Sequence, residues 1–473
     1  MAVMDTGMIR TFEKPVTIGA RGRPLANAIH PYRYWPPGVG IPSKLVKNFR
    51  SANWLTPERA WRWGIAFALL WVGLLVLDVS RHTTTGLTDR SGEQLGRDFI
   101  NYWSGARLAG SGRAALAYDV DSFHAFQKTL LGPQSEFKIY SYPPIAMLLA
   151  LPLSPLPFIP ALLAWVIVGA GLCTSLISRL VGWRIAALTM IAAPANFLNL
   201  IAGQNGFFTA SLLGGGLLAL NRRPVLAGLL FGLTAYKPQM GVLLPVALVA
   251  GGYWRAAAAA TVTVVLLVTA SVMLLGVESW VAFAGQMALQ RELMADDVSF
   301  WHRMPTTFAA LRAFGADILI SYAAQMASSA LAIASVVIAW RSRCAYGLKA
   351  ASLLVATFLV TPYAWDYDMV TLLFAAAWLL NQVSPMAVYP WERGVLAALV
   401  LLPLFMAPLT KLTAVQIGPI VLCVILILMV RRALAECRVF SPDLTAGGSE
   451  NRQRSTEIAL MLSSNNCTPL KMA

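Results

Sequence analysis

Residues 62–79 read RWGIAFALLWVGLLVLDV, a run in which Arg62 and Asp78 are the only charged side chains. A helix of about 20 apolar residues spans the hydrocarbon core of a bilayer. The whole chain of 473 residues is 57% hydrophobic and 12% charged, whereas soluble domains carry about 25% charged residues. Composition and this first run together predict an all-α polytopic membrane protein.

Further apolar stretches follow the first one along the chain. Several are shorter than the roughly 20 residues that a straight span needs, which predicts bent or paired half-helices. A short segment at 143–153, at the motif YPP, is expected to dip into the membrane. We expect about 10 to 13 membrane segments in total. The longer stretches lie near residues 156–178, 185–202, 204–220, 224–236, 239–252, 256–276, 318–340, 346–361, 369–382, 394–410 and 413–430.

The order of these stretches divides the chain into three parts. Residues 1–60 carry an excess of Lys and Arg and several prolines, and we interpret them as a basic, flexible cytoplasmic arm. Residues 61–432 form the membrane domain, with outer loops at 80–142 and 277–317. Residues 433–473 are rich in Ser, Thr and Asn, which predicts a disordered cytoplasmic tail.

Positive charge alternates between the two sides of the predicted bundle. Cytoplasmic loops carry the excess of Lys and Arg in membrane proteins. If the N-terminus is inside, the short turns of the opposite side contain only two basic residues, Lys237 and Lys411. This predicts a multi-pass protein of the inner (plasma) membrane with both termini in the cytoplasm. The predicted cytoplasmic turns contain Arg179, Arg184, Arg222, Arg223, Arg255, Arg341, Arg343, Lys349, Arg393, Arg431 and Arg432.

The formal charge of +15 does not indicate a nucleic-acid partner, because much of it lies in the tails and the cytoplasmic turns. The five cysteines are scattered without a CxxC pair or a metal-type spacing. No HExxH, Walker A or GxGxxG motif is present, and YDVD and WDYD are too short to indicate a metal. The sequence therefore predicts no metal and no cofactor, and excludes direct nucleotide use on the cytoplasmic side.

Polar motifs collect on the predicted outer side. Asp, His, Lys, Asn, Gln and Tyr side chains are concentrated there, whereas the cytoplasmic turns contain mostly Arg, Gly, Pro and Ser. Such a one-sided distribution is what an active site facing the extracytoplasmic space produces. The motifs are GRDFINYW (96–103), LAYDVDSF (116–123), YSYPP (140–144), AGQNGFF (202–208), AYKPQMG (235–241), DDVSFWHRMPTTFAALR (296–312) and TPYAWDYDM (361–369).

Asp98 in GRDFINYW has two interpretations. It is either a solvated loop acid paired with Arg97, or a carboxylate held among Phe99, Tyr102 and Trp103. Surroundings of low polarity suit a carboxylate that acts as a general base.

The remaining acids and amides of the outer loops have similar alternatives. Asp119 and Asp121 are best explained as turn or capping residues, because YDVDSF resembles a helix start. The amides of Gln204 and Asn205 suit sugar hydroxyls, but turn chemistry alone also explains GQNG.

The cations of the outer motifs are candidates for binding an anion. Lys237 is either a lysine that snorkels to the interface, or a cation exposed for an anionic headgroup by the proline that follows it. His302 and Arg303 either pair with Asp296 and Asp297 or clamp a phosphate.

The motif TPYAWDYDM combines acids with aromatic side chains. Asp366 and Asp368 stand among Tyr363, Trp365 and Tyr367. Because aromatic rings stack on pyranose faces, this cluster is either a sugar-binding lip or an ordinary interfacial belt.

The order of these motifs resembles glycosyltransferase family 87. An Asp-Phe segment follows the first span, then an AYD element at 117–119 where the family reads LYD, then YPP, GQN and KPQ at 237–239. The resemblance covers roughly residues 60–430. It implies a GT-C-like bundle with half-helices and short helices in the outer loops. The second outer loop matches no mannose-specific pattern, so the sugar and the acceptor stay open.

The resemblance also implies an activity. It implies transfer of a hexose, with mannose as the first candidate, from a polyprenyl-phosphate donor to a glycan or lipid acceptor of the cell envelope. The transfer is expected to take place on the outer face and to invert the anomeric configuration. Asp98 takes the position of the family's catalytic residue, and Lys237 and Arg303, with His302, are expected to stabilise the leaving phosphate. The substrate pocket is expected to contain Tyr102, Trp103, Tyr142, Gln204, Asn205, Lys237, Gln239, His302, Arg303, Asp366 and Asp368.

Two other classes of function are compatible with a polytopic chain. A transporter or flippase of lipid-linked or small polar solutes places ionisable residues near the bilayer midplane and often has two related halves. A catalytically silent scaffold needs no convergence of its outer loops. An enzyme instead requires Asp98, Lys237 and Arg303 to lie around one outward-facing cavity.

Overall fold

The computed structural model describes residues 55–83, 87–89, 93–133, 135–136, 138–296, 298–382 and 391–439. Within these ranges the regular structure is helical and contains no strand, which confirms the all-α polytopic class. The helices are α1 (Pro57–Thr83), α2 (Phe99–Gly110), α3 (Val120–Leu131), α4 (Pro144–Ala150), α5 (Phe158–Val181), α6 (Trp183–Ala192), α7 (Pro194–Ile201), α8 (Gly206–Ala219), α9 (Pro224–Leu233), α10 (Leu244–Ala250), α11 (Trp254–Leu275), α12 (Val277–Asp296), α13 (Val298–Trp301), α14 (Thr307–Ala313), α15 (Ile318–Arg341), α16 (Tyr346–Val360), α17 (Val370–Gln382), α18 (Glu392–Thr413) and α19 (Gly418–Val439). Short 3₁₀ helices lie at Ala114–Tyr118, Leu151–Leu153, Thr234–Tyr236, Pro238–Met240 and Asp366–Met369.

Five of the described helices, α1, α5, α11, α15 and α18, are long and apolar enough to cross a membrane. The pair α6 and α7 adds a sixth candidate span if it is counted as one, although it bends by 59° at its break. The bend falls at Pro194, whose ring and missing N–H interrupt a helix. Fewer straight spans are present than the 10 to 13 segments expected from sequence, because several apolar stretches form short helices beside a break.

The break at Lys237 shows how a proline divides an apolar stretch. The 3₁₀ helix Thr234–Tyr236 ends α9, and the 3₁₀ helix Pro238–Met240 precedes α10. Lys237 itself has φ −136° and ψ 70°, outside the helical region. A residue that precedes proline is disfavoured in the α conformation, so the sequence Lys237-Pro238 explains the interruption.

Helix α16 is buried along most of its length. Its side chains from Ala350 to Val360 are all buried, and it packs against α15 and α17. A helix that is apolar all round lies inside a protein rather than at its surface. It ends at Thr361, where the chain enters the motif TPYAWDYDM, so the central helix holds that motif in place.

The first outer loop packs by close approach of two turns. Gly203 has φ +58°, and a Cβ atom there would lie 2.6 Å from the carbonyl oxygen of Gly96 and 2.6 Å from Cβ of Phe99. Glycine adopts positive φ without a steric penalty and leaves room for a neighbouring backbone. The GQN turn therefore reaches the backbone just before Asp98.

The predicted boundaries need two adjustments. Helix α1 begins at Pro57, inside the predicted arm of residues 1–60, and α19 continues to Val439, past the predicted start of the tail at 433. Residues 1–54 and 440–473 lie outside the described residues. The second outer loop, expected to carry short helices, contains the 20-residue helix α12 as well as short α13 and α14.

We expect Gly203→Ala to destabilise the protein in detergent. A methyl group at this position meets backbone on one side and is held at positive φ, so a loss of about 1–3 kcal/mol is expected. The thermal unfolding midpoint, followed by tryptophan fluorescence, measures the effect. Gly171→Ala is the matched control, because a Cβ there has nothing within 4 Å. Equal midpoints for the two variants would contradict the close approach.

Candidate active site

Asp98 stands at the N-terminal end of α2 and its carboxylate has two described partners. Its Oδ2 accepts a hydrogen bond of 2.8 Å from Nε2 of Gln204, and its Oδ1 lies 3.5 Å from Nζ of Lys138. The side chain is 24% exposed. The backbone N–H of Asp98 donates to the carbonyl of Ala202 at 3.0 Å. The carboxylate is therefore held from two sides and still accessible to solvent.

Arg97 does not form the salt pair with Asp98 that the sequence suggested. Its guanidinium lies 3.4 Å from Asp78, at the end of α1, and 3.3 Å from Glu93. Arg97 has φ +38°, a conformation that is uncommon for a residue other than glycine. The backbone turns between Arg97 and Asp98, so the two side chains serve different contacts.

Gln204 links Asp98 to two tyrosines. Its Oε1 lies 2.7 Å from the hydroxyl of Tyr102 and 3.3 Å from that of Tyr142, and the two hydroxyls are 2.5 Å apart. Gln204 and Tyr102 are buried. All three residues are predicted from sequence to lie in a substrate pocket, whereas in the structure they are bonded to one another beside Asp98.

Lys138 is a residue of the site that no sequence motif indicated. Its Nζ lies between Asp98 and Glu136, at 3.5 Å and 2.7 Å. Burial alone would lower the pKa of Lys138, but the Asp98 and Glu136 carboxylates outweigh burial and raise it. Lys138 is therefore charged at neutral pH. It lies in an irregular loop, and no local pattern distinguished it from the other basic residues of that loop.

Lys237 lies in a buried ion pair. Its Nζ donates to Oδ1 of Asp368 at 2.6 Å and to Oδ1 of Asn205 at 2.9 Å, and it lies 4.9 Å from the ring centroid of Tyr367. The side chains of Lys237 and Asp368 are 1% and 0% exposed. The snorkelling interpretation is wrong, because the ammonium group does not reach water. The expectation of an exposed cation is also wrong.

Arg303 forms a second ion pair with the same short helix. Its Nε and Nη2 donate to the two oxygens of Asp366 at 2.9 and 3.0 Å, and Asp366 N–H donates back to the Arg303 carbonyl at 2.9 Å. Burial would lower the pKa of Arg303, but the Asp366 carboxylate raises it. The guanidinium also lies 5.7 Å from the Trp365 ring and 5.8 Å from the Tyr367 ring. Arg303 stays 31% exposed, so it is accessible to a ligand.

The acids of TPYAWDYDM therefore do not form an exposed sugar-binding lip. Asp366 and Asp368 are 2% and 0% exposed, and each neutralises a cation from another segment. The aromatic belt interpretation fails as well, because these carboxylates lie inside the protein. They hold the helix break at Lys237 and the second outer loop at Arg303.

Two predicted pocket residues, Trp103 and His302, have other surroundings. Trp103 donates its indole N–H to the carbonyl of Leu156 at 2.9 Å and packs against Phe158. Burial lowers the pKa of His302, and the neighbouring cations Lys411 and Arg303 lower it further. A pKa below the usual value leaves His302 neutral at pH 7, so it is not a third cation.

Gln239 and the capping acids complete the predicted set. Gln239 is half-buried next to the break at Lys237. The prediction that Asp119 and Asp121 belong to a helix start is confirmed. Asp119 is the N-cap of α3 and its carboxylate accepts from Ser122 N–H at 2.9 Å, while Asp121 lies in the first turn. Hydrogen bonds from the Ser122 side chain and from its backbone N–H hold the pKa of Asp119 below its usual value.

The polar motifs of the predicted outer side converge in the described structure. Lys237 and Arg303 face the same ring, since they lie 4.9 and 5.8 Å from the ring centroid of Tyr367. The GQN turn contacts Asp98 through Gln204 and Lys237 through Asn205. Among the described residues no three His, Cys, Asp or Glu side chains are placed to hold a metal ion.

A cavity of about 560 Å³ lies beside this cluster rather than around Asp98. Its wall includes Arg291, Glu292 and Asp296 of α12, Tyr322 of α15, and Tyr363. The Tyr322 and Tyr363 hydroxyls lie 2.9 Å apart. The expectation that Asp98, Lys237 and Arg303 line one cavity is therefore not met by this cavity.

Residues 140–362 match the model of glycosyltransferase family 87. No curated protein and no solved structure matches the chain. The match confirms the resemblance and, together with the apolar helices, indicates a membrane glycosyltransferase. The matched segment includes Gln204, Lys237 and Arg303, whereas Asp98 precedes it and Asp366 follows it.

We expect the buried pair Lys237–Asp368 to behave as a unit in stability measurements. Lys237→Met and Asp368→Leu each leave the other buried charge without its partner, which costs about 3–5 kcal/mol. The double variant Lys237→Met with Asp368→Leu removes both charges and is expected to recover most of that loss. Thermal unfolding of the purified variants in detergent measures the coupling. If the loss of stability in the double variant equalled the sum of the losses in the single variants, the two side chains would not be coupled and the prediction would be wrong.

Proposed function

We propose that this membrane glycosyltransferase transfers a hexose, mannose in the first instance, from a polyprenyl-phosphate donor to a hydroxyl of a glycan or lipid acceptor. We place the reaction on the extracytoplasmic face of the inner membrane, with both chain termini in the cytoplasm. The observation that carries the proposal is Asp98, an accessible carboxylate oriented by Gln204 in the middle of the converging polar motifs. The family match over residues 140–362 supports the reaction class.

Asp98 acts as general base in a direct displacement. Its carboxylate takes the proton of the acceptor hydroxyl while that oxygen forms a bond to the anomeric carbon. The bond between the anomeric carbon and the phosphate oxygen breaks, and polyprenyl phosphate leaves with the electron pair. Attack opposite the leaving group inverts the anomeric configuration. Positioned general base catalysis of this kind accelerates a reaction by about 10²–10⁴-fold.

The leaving phosphate needs a cation, and the structure changes which residues are best placed to supply it. Lys237 is fully buried and bound to Asp368, and His302 is neutral. Lys138 and Arg303 are charged and partly exposed at 17% and 31%. Asp366 uses Nε and Nη2 of Arg303, so the guanidinium retains Nη1 for a phosphate oxygen. We therefore assign the phosphate to Lys138 and Arg303.

One observation favours the alternative of a transporter or flippase. The ionisable pair Lys237–Asp368 lies at a break between two short apolar helices, as coupling sites of transporters do. Asp98, in contrast, lies in a loop and belongs to a network that suits proton abstraction. Movement of a fluorescent lipid-linked sugar across proteoliposomes by the wild-type protein, without any transfer product, would favour transport.

We expect Asp98→Asn to lower the rate of sugar transfer by about 10²–10⁴-fold, because the asparagine amide does not take the proton of the acceptor's hydroxyl group. Purified protein in proteoliposomes is supplied with a panel of labelled polyprenyl-phosphate sugars, and product is measured with its anomeric configuration. Asp121→Asn, in the same loop but exposed in α3, is the matched control and is expected to keep full activity. Near wild-type transfer by well-expressed Asp98→Asn would show that the assignment of the base is wrong.

We expect Lys138→Gln to weaken donor binding. Loss of a charge-assisted contact to the phosphate raises the donor KM by about 10-fold or more, with little change in thermal stability because Lys138 lies in a loop. Lys128→Gln, an exposed lysine of α3, is the control. An unchanged donor KM in Lys138→Gln would exclude Lys138 from phosphate binding.

A further inference from the structure

The orientation of the Gln204 amide follows from the chemistry of its neighbours. An ionised carboxylate only accepts hydrogen bonds, so the group that faces Asp98 must be the NH₂ of the amide. The amide oxygen then faces the hydroxyls of Tyr102 and Tyr142, which are able to donate. The opposite orientation would place two acceptors, Oε1 and Oδ2, 2.8 Å apart.

The Tyr102 and Tyr142 hydroxyls stabilise this orientation of the Gln204 amide on the side away from Asp98. Tyr102 is 2% exposed and its ring packs on Tyr142 and Trp165, with centroids 5.0 and 5.1 Å apart. A buried ring enclosed in this way holds its hydroxyl in one place. The Asn205 N–H lies 3.4 Å from the same Oε1. Because each hydroxyl has one proton and the two hydroxyls are 2.5 Å apart, one tyrosine donates to the other and one donates to Oε1. Gln204 is therefore anchored on its oxygen side by one tyrosine hydroxyl and by the Asn205 N–H.

This network uses both functional groups of Gln204 before any substrate is present. Its NH₂ is bound to Asp98 and its oxygen to the tyrosines, and the side chain is 6% exposed. A sugar hydroxyl would have to displace one of these buried contacts to reach the amide. Binding of sugar by Gln204, as expected from sequence, is therefore the less favourable role.

We propose that Gln204 is a positioning residue that holds Oδ2 of Asp98 and thereby directs Oδ1 towards the acceptor hydroxyl, with Tyr102 and Tyr142 fixing the amide. The proposal rests on the proposed function of Asp98 as general base. Oδ1 then receives the acceptor proton while Oδ2 keeps its hydrogen bond. Lys138 lies 3.5 Å from Oδ1, and Glu136, 2.7 Å from the lysine, keeps it near when the acceptor takes its place.

Gln204 donates a hydrogen bond to Asp98 without placing a second charge beside it. A hydrogen bond to a carboxylate favours the charged state, and a second carboxylate disfavours it. Gln204→Glu preserves the size of the side chain and its oxygen towards the tyrosines, but replaces the donor with a potential negative charge. The base form of Asp98 would then require a higher pH.

The decisive experiment compares Gln204→Glu with the wild-type protein in the transfer assay. We expect kcat to fall about 10- to 100-fold, the donor KM to change less than about twofold, and the acidic limb of the kcat/KM profile to move to higher pH. A raised donor KM with an unmoved acidic limb would overturn the proposal in favour of substrate binding. Wild-type kinetics would overturn it outright.

A second variant keeps the proposal falsifiable if Gln204→Glu does not fold. Tyr102→Phe removes the hydroxyl that holds Oε1 and is expected to lower kcat about 3- to 10-fold, with the acidic limb moved in the same direction. Tyr346→Phe is the matched control, because it also loses a buried hydroxyl contact, at 2.6 Å to the Leu217 carbonyl. Tyr346 begins α16, and the motif TPYAWDYDM of the candidate site follows the opposite end of that helix, about 20 Å along its axis. If Tyr102→Phe and Tyr346→Phe had equal kinetics, the proposed positioning role of Gln204 would be overturned.

These variants distinguish failure of the Gln204 proposal from failure of the proposed function. If Asp98→Asn stays active, the assignment of the base fails whatever Gln204→Glu does. If Asp98→Asn is inactive while Gln204→Glu keeps the wild-type pH profile, the base stands and the positioning role of Gln204 is rejected.

Discussion

Burial of a charged side chain carries a large desolvation penalty unless the side chain is paired with an opposite charge. The buried ion pair between Lys237 and Asp368 satisfies this constraint in the fold. The lysine stands at a proline break and the aspartate in the 3₁₀ helix after α16, more than a hundred residues apart in sequence. Their side chains are almost fully buried and 2.6 Å apart. Asn205 joins them through its side-chain oxygen. Three distant segments are thus held at one point, and the GQN turn is held beside Asp98 as a consequence.

The short helix Asp366–Met369 serves as a common anchor for two cations. Asp368 binds the helix break at Lys237, and Asp366 binds the second outer loop at Arg303. Both carboxylates follow directly from the central helix α16, whose buried side chains give it a fixed position. The same rigid element therefore sets the place of a buried structural cation and of an accessible one. This division explains why only Arg303 of the two is suited to a ligand.

The sequence was informative where a single segment determines the outcome. Apolar run lengths predicted the all-α membrane class, Lys237-Pro238 predicted a break, and YDVDSF predicted the cap that Asp119 provides. It was not informative where an outcome depends on pairing between segments. Lys237 reads as a free cation until Asp368 is placed beside it, and nothing local marks Lys138 as the partner of Asp98. Amides at Gln204 and Asn205 likewise suit sugar or protein equally until their neighbours are known.

The ion pairs around Asp98 have a consequence for turnover. Asp98, Glu136, Asp366 and Asp368 contribute four negative charges, and Lys138, Lys237 and Arg303 contribute three positive charges. In the proposed reaction, the set is neutral when Asp98 has taken the proton of the acceptor hydroxyl, and it tolerates the phosphate that has just been released. That phosphate is now a monoester with a charge of about −1.5 to −2. Once Asp98 returns its proton to water, the excess negative charge repels the product, so the proposed mechanism couples recovery of the base to release of polyprenyl phosphate.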